Sequence, residues 1–121
     1  MATILIVDDE PLTNEMLATF LRIMGHDAVE AYTCDEARVR LSYTQPDAIL
    51  LDIMLPDGNG VEFCRELRQV PACAQVPILM ISATSPPLVE ESRAAGATDY
   101  LRKPIALGHL RQLLGEVGVS G

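Results

Sequence analysis

The sequence predicts an α/β domain built as a doubly wound parallel sheet of five strands with five helices, and three observations point to it. Short apolar runs alternate with stretches of helical period along the 121 residues. The strongest runs are continuous rather than alternating, as in strands covered on both faces. The length suits one ordinary domain, residues 1–121, with no segment biased enough to be a linker or a repeat. A hydrophobic fraction of 49% against 21% charged residues supplies one core and excludes the disordered and low-complexity classes.

The first run, Ile4-Leu5-Ile6-Val7, stops at Asp8-Asp9-Glu10. Pro11 suits a first helical turn. Leu12, Met16, Phe20 and Met24 follow at steps of four, widened by Leu17 and Leu21, until Gly25 stands where helices commonly end. Asp27 to Ala31 is a weaker second strand. Thr33-Cys34-Asp35-Glu36 has the form of a capping box before a second helix that turns Ala37 and Leu41 inward and ends near Tyr43. Pro46-Asp47 punctuates the chain, and Ala48-Ile49-Leu50-Leu51 is a third buried strand ending at Asp52. A turn cluster, Pro56-Asp57-Gly58-Asn59-Gly60, precedes a third helix with Val61, Cys64 and Leu67 at steps of three. Pro71 and Pro77 bound a loop before Ile78-Leu79-Met80-Ile81, the fourth strand, which reaches Ser82. Pro86-Pro87 must sit at or before the first turn of a fourth helix within Leu88 to Ala95, which Gly96 ends. Tyr100-Leu101 is a short fifth strand running to Lys103-Pro104. Leu107, Leu110, Leu114 and Val117 outline a last helix that tolerates Gly108 at about 1 kcal/mol.

Nine Lys and Arg against seventeen Asp and Glu leave a net charge of −8, the opposite of the footprint that a phosphate backbone requires, so direct nucleic-acid binding is disfavoured. No apolar run approaches the roughly 18 to 20 residues that span a bilayer, and Met1-Ala2-Thr3 is no basic leader; a cytoplasmic protein without membrane insertion is expected. Cys34, Cys64 and Cys73 form no CxxC pair and read as reduced, buried thiols. His26 reads as a loop residue and His109 as a solvent-facing helix residue. Met16, Met24, Met54 and Met80 read as core packing and turn filler.

In a parallel doubly wound sheet, ligands bind beyond the carboxyl ends of the strands. Asp8 and Asp9 follow the first strand, Asp52 the third, Ser82 the fourth and Lys103 the fifth, so all five fall at one edge. With strand order 2-1-3-4-5, Asp52 is central and its neighbouring strands stand about 4.8 Å away on each side. Lys103 starts roughly 10 Å off, a distance that its long stem mostly covers. Three carboxylates within about 5 Å repel by about 3 kcal/mol per pair at an effective dielectric near 20. Lys103 offsets one charge, and the remainder matches one divalent cation; with no His or Cys nearby in sequence, the oxygen donors suit Mg²⁺. A carboxylate beside a cation, a lysine and a hydroxyl is equipped for phosphoryl transfer, with Asp52 as nucleophile and an aspartyl phosphate as product.

Four segments together resemble the receiver domain of two-component response regulators, a CheY-like, flavodoxin-like fold, along nearly the whole chain. They are Ile4 to Glu10, Asp52 to Gly60, Pro77 to Ala83 and Gly96 to Pro104. The resemblance implies that Asp52 is phosphorylated by a histidine kinase, through a phosphotransfer protein, or by a small donor such as acetyl phosphate. It implies that Asp9, Asp52 and the Met54 carbonyl bind Mg²⁺ directly, with Asp8 acting mainly through water. Lys103 and Ser82 then hold the phosphoryl oxygens, and Tyr100 changes rotamer as Ser82 moves inward, altering the surface of the fourth helix, fifth strand and fifth helix for an effector protein or domain. Such a protein catalyses only its own phosphorylation and dephosphorylation. The stretch from Ser82 to Lys103 is about one residue shorter than usual and carries Pro86-Pro87 where a more flexible loop is common. The chain stops soon after the last helix, at Gly118-Val119-Ser120-Gly121, as a stand-alone receiver or a piece of a longer regulator or hybrid kinase would.

Two other functions fit parts of the pattern. A small aspartate-nucleophile phosphatase would use Asp8 and Glu10 on Mg²⁺ and leave Asp52 idle. A phosphorylation-independent interaction module would keep the fold without its chemistry, although no acidic or lysine position is lost.

Overall fold

A computed structural model describes residues 1–119; Ser120 and Gly121, the end of the C-terminal tail, lie outside the described residues. The chain runs β1 (Thr3–Val7), α1 (Pro11–Ile23), β2 (Asp27–Ala31), α2 (Cys34–Leu41), β3 (Ala48–Asp52), β4 (Met54–Leu55), β5 (Gly58–Asn59), α3 (Gly60–Arg68), β6 (Ile78–Ser82), α4 (Val89–Ala94), β7 (Asp99–Arg102) and α5 (Leu107–Glu116), with a 3₁₀ turn at Pro71–Cys73. The main sheet has the order β2-β1-β3-β6-β7 with every pairing parallel, which is the expected 2-1-3-4-5 arrangement. β4 and β5 form a separate antiparallel ribbon where the sequence suggested only a turn.

The continuous apolar runs are explained by cover on both faces. Leu5, Val7, Ile49, Leu51, Ile78 and Met80 point to one side, against Val61, Phe63, Cys64 and Leu67 of α3 and Ala37 of α2. Ile4, Ile6, Leu50, Leu79 and Ile81 point to the other, against Leu17 and Leu21 of α1 and Leu110 and Leu114 of α5. The central strands thus serve two cores.

Several expectations change. In α1 the buried face is Asn14, Leu17, Ala18 and Leu21, while Leu12 is 74% exposed and Met16 lies outside as well. Met16 and the exposed Met54 are therefore not core packing, although Met80 is. α2 ends at Leu41, not near Tyr43. Its capping box closes in a shifted form: Thr33 Oγ1 accepts from Glu36 N at 3.0 Å, and the Glu36 carboxylate accepts from Tyr32 N at 2.9 Å rather than from the cap residue itself. His26 lies in a loop but is buried, its Nδ1 accepting from Ala2 N at 3.1 Å. His109 is exposed on α5. The three cysteines are free and buried, and burial pushes the Cys34 thiol up to about 11, with Asp57 adding to the rise. α4 has only six residues and starts after Pro86-Pro87, which cannot supply N–H groups to a preceding turn. No helix among the described residues is long and apolar enough to cross a membrane.

Candidate functional site

Register builds the site. Val7 pairs with Leu51, so Asp8, one residue past β1, comes abreast of Asp52 at the end of β3. Asp52 pairs with Ile81, which puts Ser82 one residue beyond it. Ser82 pairs with Arg102, and Lys103, whose N–H donates to Ser82 O at 2.9 Å, leaves the sheet there. The Asp8, Asp9 and Asp52 carboxylates offer oxygens that all lie within 4.8 Å of one another. Asp8 is fully buried and Asp52 only 4% exposed, whereas Asp9 faces solvent.

Lys103 spans the two buried acids. Its ammonium donates to Asp52 Oδ2 at 3.0 Å and lies 2.9 Å from Asp8 Oδ2. The second contact is an ion pair, and the ammonium is the partner that the buried Asp8 Oδ2 has among the described residues. Asp8 Oδ1 accepts from Glu10 N at 2.9 Å. One cation for three carboxylates leaves the cluster net negative. An all-oxygen donor set of this kind suits a hard divalent ion such as Mg²⁺.

Burial, then the Asp8 charge, raises the Asp52 carboxyl above its ordinary value despite the opposing pull of Lys103. For Lys103, burial works against the charged form, but the contacts with Asp8 and Asp52 outweigh it and hold the ammonium above its usual value. A raised carboxyl contributes stability below its unfolded value, and that contribution is lost as pH rises through the folded value. The metal-free protein is therefore expected to gain stability on acidification from neutral pH into the window just above the ordinary Asp range. Chemical denaturation across that window checks this, and Asp52→Asn should flatten that segment of the profile. The Lys103 contribution is fully present at neutral pH and is lost only as alkaline pH passes its raised value.

Ser82 lies at the rim, but its hydroxyl is engaged sideways: Oγ donates to Thr84 Oγ1 and accepts from Thr84 N, both at 2.9 Å. Thr84 Oγ1 meets the Tyr100 hydroxyl at 3.3 Å, which also accepts from Leu88 N at 3.2 Å. Ser82 is thus joined to Tyr100 and to the start of α4 by hydroxyls. Met54 lies two residues past Asp52 with its side chain exposed, and its N–H favours the ionised Asp52. The cleft is lined by Asp9, Glu10, Asp52, Met54, Ala83, Thr84 and Lys103.

Sequence reasoning missed several supporting residues. Buried Asn14 donates to Asp8 O and Ala31 O, both at 3.0 Å, tying α1 to the ends of β1 and β2. Glu10 caps α1 by accepting from Thr13 N at 2.7 Å and Thr13 Oγ1 at 2.6 Å, and these bonds hold its carboxyl below its usual value. An acidic residue ahead of Pro11 was the available signal for that cap. Thr84 carried none.

The family described as "Response regulator receiver domain" matches residues 4–115. The KDP operon transcriptional regulatory protein KdpE of Escherichia coli is 41% identical over 119 residues, 94% of this chain and 50% of that protein. The phosphate regulon transcriptional regulatory protein PhoB of Pseudomonas aeruginosa is 37% identical over 108 residues, 86% of this chain and 46% of that protein. The chain thus spans about half the length of the curated relatives it matches. Among solved structures, a putative response regulator from Chloroflexus aurantiacus superposes with a TM-score of 0.89 at 34% identity, covering 96% of each chain. The receiver domain of the sensor histidine kinase PA1611 from Pseudomonas aeruginosa superposes at 0.87 with 29% identity, covering 97% of this chain and 98% of its own. That structure is described with a magnesium ion coordinated in the active site cleft.

Proposed function

This chain belongs to the response regulator receiver family, and from that membership we propose that Asp52 accepts a phosphoryl group from a phosphohistidine donor and thereby switches a protein-interaction surface. The observation that carries the proposal is one ammonium, Lys103, held between Asp52 and Asp8 at the carboxyl edge of the sheet, beside a third carboxylate.

An Asp52 oxygen forms the new bond to phosphorus while the donor's N–P bond breaks, and that electron pair leaves with the imidazole nitrogen. Bound Mg²⁺ would supply neutralisation of charge on the transferred oxygens; Asp9, Asp52 and the Met54 carbonyl would hold it, with Asp8 acting mainly through water. Lys103 remains protonated and turns its ammonium to a phosphoryl oxygen. Ser82 gives up Thr84 and donates its hydroxyl to another oxygen, which withdraws one partner from the group that holds Tyr100. The altered surface comprises α4, β7 and α5 and engages an effector protein or domain. The phosphoryl source is a sensor histidine kinase or a phosphotransfer protein. Residues 1–121 act as one receiver unit whose only chemistry is on its own Asp52.

Incubated with acetyl phosphate and Mg²⁺, the protein should gain the mass of one phosphoryl group, and chelation of the metal should prevent it. Uptake from no donor would favour a phosphorylation-independent module, and sustained turnover of phosphomonoesters would favour a phosphatase. Asp9→Ala should weaken Mg²⁺ binding by at least about tenfold, since even supporting residues of metal sites contribute on that order; unchanged calorimetric affinity would count against the ligand set.

A further inference from the structure

We propose that Asp57 is a positioning residue for the acidic site, fastening the β4–β5 ribbon to the start of α2 and thereby setting the site's affinity for a divalent cation. This rests on the reading above, in which Met54 on that ribbon contributes its carbonyl. Asp57 Oδ1 accepts from Cys34 N at 2.8 Å and Oδ2 accepts from Asp35 N at 2.9 Å, across 23 and 22 residues of chain. The two bonds occupy N–H groups that a helix start leaves without intrahelical partners. A Cβ added at Gly58 would stand 3.3 Å from Cys34 Sγ, so the ribbon runs beside the start of α2.

The ribbon needs such an anchor. It has only two residue pairs, Met54 with Asn59 and Leu55 with Gly58, and an isolated two-stranded ribbon is marginal at best in water. Its far end is held locally, because Gly60 N donates to Ile53 O at 2.7 Å and Asn59 Oδ1 accepts from Val61 N at 2.7 Å at the start of α3. Between these two anchors stands Met54, next to the buried Asp52. Release of the Asp57 end frees the segment through which Met54 is placed, without removing any proposed ligand.

The test is a calorimetric Mg²⁺ titration paired with thermal unfolding of wild type, Asp57→Ala and Thr33→Ala. Thr33 caps the same helix through Glu36 N, so its loss weakens α2 while leaving the ribbon attached. Asp57→Ala is expected to weaken Mg²⁺ binding about tenfold, in the range typical of residues that support metal ligands. The ratio should persist in about 1 M salt, where the Debye length is about 3 Å. Thr33→Ala should lower the unfolding midpoint and leave the affinity alone. Unchanged affinity in Asp57→Ala overturns the proposal, as does a loss that disappears in salt or an equal loss in Thr33→Ala. Should Asp57→Ala not fold, Asp57→Asn, which keeps one acceptor oxygen, should show a smaller loss, and no loss overturns the proposal. A wild type that binds no Mg²⁺ removes the underlying reading and this inference together, whereas normal wild-type binding with unaffected variants removes only this one.

Discussion

Asp52→Asn is expected to take up no phosphoryl group from acetyl phosphate and Mg²⁺ under conditions that modify the wild type, a complete loss read as intact mass. The amide nearly matches the carboxylate in size, so the buried position at the end of β3 stays filled. What disappears is the anionic oxygen proposed to form the bond to phosphorus. The same change should not unfold the metal-free protein. Asp52 carries a charge disfavoured first by burial and then by Asp8, and Lys103 keeps its ion pair with Asp8. Thermal unfolding without metal should therefore show Asp52→Asn at least as stable as wild type at neutral pH. Phosphoryl uptake that survives the substitution would show that another residue is the acceptor.

Gly60→Ala should be the most damaging single methyl added near the site. An added Cβ would stand 2.1 Å from Asp52 O, 2.7 Å from Ile53 Cα and 2.9 Å from Asp52 C. All three are backbone atoms, which cannot rotate away as a flexible side chain can. Either α3 backs off from β3 or the end of β3 shifts, and both break the Gly60 N to Ile53 O bond. A loss of about 3 kcal/mol is expected, at the upper end for overpacking, from the midpoint of urea unfolding. Phosphoryl uptake should fall with it even in the fraction that remains folded. Wild-type stability in Gly60→Ala would mean that the approach of α3 to Asp52 is looser than described.

The strands and the rim were legible because a strand covered on both faces has no choice of side. Ile4 to Val7, Ala48 to Leu51 and Ile78 to Ile81 are apolar throughout, and the first polar residue after each marks the edge. Helix α1 was harder, since its apolar residues cover more than one face. Leu12, Met16, Leu17, Phe20 and Leu21 leave open which edge meets the sheet, and the structure turns Asn14, Leu17, Ala18 and Leu21 inward. Asn14 reads as polar surface in any hydropathy pattern, yet it is buried with its amide donating to two carbonyls at the ends of β1 and β2. The β4–β5 ribbon is too short to show alternation. The bonds from Asp57 to Cys34 and Asp35 join segments with no local signal for each other, and the link from Ser82 through Thr84 to Tyr100 depends on rotamers that spacing does not specify.

The gap between the two buried acids is a consequence of the parallel pairing of β1 and β3. Because Asp8 and Asp52 extend neighbouring strands in matched register, their separation is governed by peptide hydrogen bonding, at about 4.8 Å between strands. Side-chain volumes in the interior do not enter that ruler. Hydrophobic exchanges on either face that conserve volume can therefore accumulate while the spacing of the negative charges stays constant.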